Sequence, residues 1–185
     1  ADWDGFATRE AASRASGRWR GLGIATFLEW TGGNVFEERV TVTVLADGMV
    51  EVFAAVNGMG QGIATSLAQL VVDVFELPLE RIRVVLGDTD RGNGFGSAGS
   101  RSIFTGGSAM RTGAQRSVDH ARTLAASRLE ASAADIDYQG GRFQVRGTDL
   151  GIGLFELAAT QDGGRIHLES TSSVRGPSWP NACHI

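Results

Sequence analysis

The chain contains no lysine; all 17 of its basic side chains are arginine. Set against 21 acidic residues they leave a formal net charge of -4, which supplies no electrostatic footprint for nucleic acid. An arginine-only basic set has an ordinary reading in codon bias and a functional one in the forked geometry that guanidinium offers to phosphate. The codon-bias reading is the expectation. Cysteine is nearly absent: the single Cys183 excludes an internal disulfide, and His120, His167 and His184 are scattered, so no Cys/His cluster has metal-ligand spacing. Any metal would have to arrive held by an organic cofactor. No apolar run approaches the ~20 residues that span a bilayer, and the first residues lack a signal-peptide pattern. A cytoplasmic location is the expectation, with a periplasmic one open for a longer parent.

Glycine, in contrast, is abundant at 26 residues, and the hydrophobic period changes along the chain. Residues 3–17 mix Arg, Ala and Ser as a polar amphipathic helix does, and residues 21–29 run into a short apolar strand. Val40, Val42 and Val44 alternate with Thr41 and Thr43, Asp47-Gly48 supplies a hairpin turn, and residues 50–56 return as the partner strand. From Ile63 the period becomes helical, with Ile63, Leu67, Leu70, Val71 and Val74 on one face until Pro78 stops it. Residues 81–86 read as a strand, Ile82 and Val84 facing one way and Arg81 and Arg83 the other. A long helix is expected from Ser102 to about Ala131, striped by Val118, Ala121, Leu124, Ala125, Arg128 and Leu129. A hairpin about Gly140-Gly141, a short helix over 153–159 and a strand over 166–174 complete the pattern. With no repeat, low-complexity tract or linker, the expectation is a single domain over residues 1–185. Its class is α/β (α+β mixed), a mixed sheet with packed helices.

Two glycine-rich stretches break the periodicity where elements meet. Gly58-Met59-Gly60-Gln61-Gly62 closes a strand and opens a helix. Gly94-Phe95-Gly96-Ser97-Ala98-Gly99-Ser100-Arg101-Ser102 ends a polar loop that starts at Asp88, and again leads into a helix. Glycines let backbone approach a flat ring without an intervening Cβ. The Gln61 amide offers an acceptor and a donor pair without charge. N–H groups at a helix start, with the Ser100 and Ser102 hydroxyls, suit phosphate oxygens, and Arg101 would add a charge-assisted bond. The same residues admit a plainer reading: a strand-to-helix turn, an N-cap worth ~1 kcal/mol at Ser100 or Ser102, and packing at Met59. Residue chemistry alone does not separate the two. The carboxylates of Asp88-Thr89-Asp90 read as loop caps rather than an acid/base pair, and Gly106-Gly107-Ser108-Ala109 leaves room for another backbone or a ligand.

In their order these motifs resemble the molybdopterin-binding large subunits of the xanthine dehydrogenase and aldehyde oxidase family. Trp19-Arg20-Gly21-Leu22-Gly23-Ile24-Ala25 leads into Glu29-Trp30-Thr31-Gly32, then Gly58-Met59-Gly60-Gln61-Gly62 and Leu79-Glu80-Arg81-Ile82-Arg83-Val84-Val85. Gly87-Asp88-Thr89-Asp90, Gly99-Ser100-Arg101-Ser102 and Gly106-Gly107 follow. The resemblance runs from about Asp2 to Ile185 and implies part of the second molybdopterin-binding domain, an internal fragment of a subunit several times longer. The absence of an initiator Met and the strand-like ending Pro180-Asn181-Ala182-Cys183-His184-Ile185 fit that expectation. The family departs from this chain at Asn57-Gly58, where relatives commonly carry an acidic residue before the Met.

The resemblance assigns cofactor contacts to Met59, Gly60, Gln61 and Gly62 near the molybdenum end, and to Gly99, Ser100, Arg101 and Ser102 at the pterin and its phosphate. It implies no catalytic and no direct metal-ligating residue here, since the glutamate base lies downstream of Ile185. The cofactor would be molybdopterin, its dinucleotide form included, with iron–sulphur clusters and FAD only in other domains or subunits. The implied reaction is hydroxylation of an aldehyde or an electron-poor N-heterocycle with oxygen from water, and the fragment alone would be inactive. Its implied partners are the rest of the molybdenum subunit and the iron–sulphur and FAD subunits, with no nucleic acid and no membrane span. The alternative is a non-enzymatic scaffold or assembly domain of the same fold, whose uncovered apolar surface would favour a dimer.

Overall fold

In the computed structural model, which describes residues 2–185, the valine alternation builds the centre of the molecule. β2 (Glu37–Leu45) and β3 (Val50–Ala54) form the expected antiparallel hairpin, with Val40, Val42, Val44, Val50 and Val52 fully buried. Each such side chain contributes about 1.5–3 kcal/mol by leaving water. β4 (Ile82–Leu86) joins β3 in parallel, and β8 (Arg165–Ser173) joins the far edge of β2 antiparallel, giving a four-stranded mixed sheet in the order β4-β3-β2-β8. A parallel pair needs a crossover, and α2 (Ile63–Phe75) is that crossover. Its entrance is the first glycine-rich loop, which is thereby held at the sheet end where β3 finishes.

Helix α2 buries Ile63, Leu67, Ala68, Val71 and Phe75, one more aromatic than the expected stripe, while Leu70 and Val74 pack at its margin. It ends three residues before Pro78. Glu76 takes a left-handed backbone (φ 51°) and its N–H closes on the Val72 carbonyl, so the αL cap rather than proline terminates it. A 3-10 turn, Leu79–Arg81, then feeds β4.

The long helix departs from expectation at both ends. Its first turn, Ser102–Gly107, is π-helical, the Arg101 carbonyl accepting from the N–H groups of Thr105 and Gly106; the regular helix α3 runs Ser108–Arg128. Its buried residues are Ala109, Met110, Gly113, Ala114, Ser117, Val118, Ala121, Ala125 and Ala126, while Arg128 is exposed and Leu124 and Leu129 are half-buried. Small residues give a weak hydrophobic signal, yet they let α3 lie close to the sheet: a Cβ at Gly113 would stand 2.7 Å from Val40 Cγ2. Gly106 and Gly107 serve the same end, against Val56, Leu70 and Ile103, so the room they leave is filled by protein side chains.

β5 (Ile136–Gln139), β6 (Arg142–Val145) and the unanticipated β7 (Gly151–Gly153) form a three-stranded antiparallel sheet, followed by α4 (Leu154–Ala159). Where the sequence reading expects one domain, the described residues group into two compact units, Thr31–Pro177 and a smaller one made of the residues up to Trp30 with Ser178–Ile185. The smaller unit holds α1 (Phe6–Ala15), which buries no residue, and a ribbon of β1 (Ala25–Leu28) with β9 (Asn181–His184), exposed along its length. Trp30 stacks on Trp179 at 6.3 Å, but Trp3, Trp19, Leu28 and Trp179 remain exposed. Among the described residues no helix is long and apolar enough to cross a membrane.

Candidate functional site

The first loop, residues 57–62, owes its shape to glycine. Gly60 and Gly62 adopt φ of 89° and 74°, a region open to glycine at no steric cost. A Cβ at either would meet no protein atom within 4 Å, so the backbone there is open to a ligand. Gly62 also caps α2, which carries neither a side-chain cap nor an acidic residue in its first turn. The positive end of the helix dipole is therefore uncompensated by local side chains. The Gln61 amide folds back on its own loop, its Oε1 accepting from Met59 N at 2.5 Å and its Nε2 donating to Asn57 O at 2.9 Å. In this conformation it braces the turn.

The second loop, residues 88–102, begins with the caps expected of it: Asp88 Oδ1 accepts from Asp90 N at 3.0 Å, and Asp88 Oδ2 pairs with Arg91. Arg91 also reaches Glu51 on β3, which Arg83 of β4 bonds at 3.3 Å. Partial burial opposes ionisation of Glu51, but the hydrogen bonds from Arg91 and Arg83 outweigh it and hold the carboxyl below its ordinary range. Further on, Gly99 O accepts from the N–H groups of Gly32 and Gly33, both at 3.0 Å. Ser100 is one of three non-glycine residues with positive φ among those described, at 53°, a conformation costing on the order of 1 kcal/mol.

Ser97, which the sequence reading does not single out, joins the two loops across 40 residues of chain. Its hydroxyl accepts from Asn57 N at 2.8 Å and lies 3.3 Å from Asn57 O, and the Ser102 hydroxyl donates to it at 2.7 Å. Gly87 and Gly96, both at positive φ, make room for Asn57: a Cβ on either would fall 2.8 or 2.9 Å from its amide. Nothing local in the sequence announces this junction, because its partners meet only after the strands pair.

Between the loops lies a cavity of ≈ 490 Å³ lined by Met59, Gln61, Ile63, Ser66, Ser97, Ala98, Gly99, Ser100, Ser102 and Ile103. That size suits a small-molecule site. Five expected residues, Met59, Gln61, Gly99, Ser100 and Ser102, thus converge, while Gly60 and Gly62 do not line it. Arg101 does not line it. Its side chain is fully buried, its guanidinium directed away to Glu38 Oε2 at 2.7 Å and to the carbonyls of Gly96, Glu37 and Val35 at 2.8, 3.0 and 3.3 Å. The expectation that it adds a bond to a phosphate does not match this placement. The alternation of β2 carried the missed signal: counting back from Val44, Val42 and Val40 puts Glu38 on the core face, and a buried carboxylate calls for a cation.

Among the described residues no three His, Cys, Asp or Glu side chains cluster as a metal site. His167 instead bonds Thr43 at 2.8 Å, and His184 meets the Phe27 ring edge-on.

Known proteins share much of this sequence and fold. The chain is 39% identical over 150 residues, 80% of its length, to 6-hydroxypseudooxynicotine dehydrogenase complex subunit gamma of Paenarthrobacter nicotinovorans. To the nicotine 6-hydroxylase large subunit of the same organism it is 32% identical over 158 residues, 79% of its length. It spans 19% of the length of each of these relatives. The crystal structure of quinoline 2-oxidoreductase from Pseudomonas putida 86 superposes with a TM-score of 0.72 at 26% identity, covering 97% of this chain and 26% of that one. Residues 1–185 match the family model described as the molybdopterin cofactor-binding domain, and the chain belongs to that family.

Proposed function

We propose that the cavity between the two loops is one wall of the cofactor site in a molybdenum hydroxylase subunit, and that it receives the pterin and phosphate of molybdopterin. The observation that carries this reading is the Asn57–Ser97–Ser102 junction, which brings two glycine-bearing loops to a single cavity. The residues suit such a group: open backbone at Gly60 and Gly62 for a flat ring, the first turn of α2 for an anion, and the Ser100 and Ser102 hydroxyls for phosphate oxygens. When bound, the cofactor supplies two-electron redox chemistry for hydroxylation with oxygen taken from water. The chain's own part is to bind and orient it. Gln61 would turn its amide from the loop to the ligand, releasing the Met59 N–H as a further donor.

Relatives named for nicotine and quinoline favour an N-heterocyclic substrate over an aldehyde. Partners would be the remainder of the subunit and, in a complex, subunits bearing iron–sulphur clusters and FAD. Exposed Trp3, Trp19, Leu28 and Trp179 would be covered there. Ala98 lines the cavity and is itself exposed, so Ala98→Trp in the full-length parent fills the site without disturbing the core. Its molybdenum and pterin content should fall at least tenfold while circular dichroism still shows a folded protein; undiminished content in a folded variant would refute the assignment.

A further inference from the structure

We propose that Glu38 and Arg101 act together as a positioning pair that sets the shape of the cofactor wall from behind, Arg101 making no contact with the cofactor. The inference rests on the functional reading above. Arg101 is the largest fully buried side chain among the described residues, and its three nitrogens each donate to a different carbonyl. Two of those carbonyls, Val35 and Glu37, belong to the segment entering β2, and the third, Gly96, belongs to the second loop. One rigid guanidinium thus fixes the second loop to the start of a core strand. A lysine could not do so, since its ammonium is a single point of charge without the fork.

The pair is poorly built for stability. Glu38 Oε2 stands 2.7 Å from Arg101 Nη1 but out of hydrogen-bond alignment, and neither carboxylate oxygen accepts a hydrogen bond. Buried charges lacking those bonds recover little of their desolvation cost, so the pair's role is better sought in geometry. The loop lies tight over it: a Cβ on Gly94 would fall 2.3 Å from Ala55 Cβ and 3.4 Å from Glu38 Oε1, and the Phe95 ring covers the guanidinium at 5.4 Å. Ser97, Ala98, Gly99 and Ser100, all cavity residues, span the gap between Gly96, held by the side chain, and Arg101 itself. Gly99 is held in addition by Gly32 and Gly33. The position of the cavity wall follows from these anchors.

The test uses the full-length parent with its cofactor, in three variants: Arg101→Lys, Glu38→Gln and the double Glu38→Met/Arg101→Met. Molybdenum per protein is measured by plasma mass spectrometry, and hydrogen exchange is followed in peptides from residues 88–102 and from β2–β4. Each variant should lose at least tenfold in molybdenum, with exchange rising more in 88–102 than in the strands, where any rise reflects the general loss of stability. Normal loading of Arg101→Lys overturns the proposal, and so does lost molybdenum with unchanged loop exchange, which would make Arg101 a direct ligand contact. The double variant, which leaves no lone buried charge, decides the matter if the single variants do not fold: normal loading in it refutes the positioning role. Should the wild-type parent hold no molybdenum, the functional reading fails, while the exchange of residues 88–102 still decides for or against the pair.

Discussion

The loops 57–62 and 88–102 line the same cavity and are held by opposite means. The first is short, exposed and self-braced: glycine supplies the left-handed turns, and the Gln61 side chain closes on Met59 and Asn57. The second is long and would be a floppy connector on length alone, yet it is tied to the core by a fully buried arginine and to residues 32–33 through Gly99. A self-braced loop whose amide can exchange partners suits the end of a site where contacts change. A loop nailed from behind suits the end where a constant anchor, such as a phosphate, is gripped. The difference teaches that a glycine-rich loop need not be compliant; what lies beneath it decides.

The comparison can be broken most forcefully at Arg101. Replacing it by Ala leaves Glu38 buried and alone, and should lower the unfolding free energy by about 3–5 kcal/mol in chemical denaturation. The link between the loops is weaker. Ser97→Ala removes a partner from Asn57 N–H and from the Ser102 hydroxyl at a partly exposed site, with an expected loss of about 1 kcal/mol. That variant sharpens the contrast if hydrogen exchange rises more in 57–62, which leans on Ser97, than in 88–102, which has other anchors.

The smallest effect is a pH dependence at the base of the second loop. Because Glu51 has its folded pKa below the usual value of 4.5, its contribution is fully present above that value and is lost as pH falls through the depressed one. Stability measured across that acid range should drop less steeply in Glu51→Gln than in the wild type.

Much of this was legible in the sequence. The Val/Thr alternation, Asp47-Gly48 and the stripe from Ile63 located the hairpin and its crossover helix, since each announces itself within a dozen residues. The two loops could be found because their glycines break the hydrophobic period where elements meet, although residue chemistry alone does not separate a binding loop from a plain turn there. Three features were hidden for physical reasons. The buried face of α3 is made of Ala, Gly and Ser, which carry little apolar signal. The Ser97 junction depends on a contact 40 residues away in sequence. Arg101 sits among Gly and Ser in a stretch that looks solvent-facing, and only the parity of Glu38 with Val40, Val42 and Val44 hinted at a buried partner.

The most direct test of the central claim is the molybdenum and pterin content of the full-length parent, purified from cells that make the cofactor. The account predicts near-stoichiometric molybdenum and pterin. A folded parent that contains neither would contradict it and leave the two loops as structural turns.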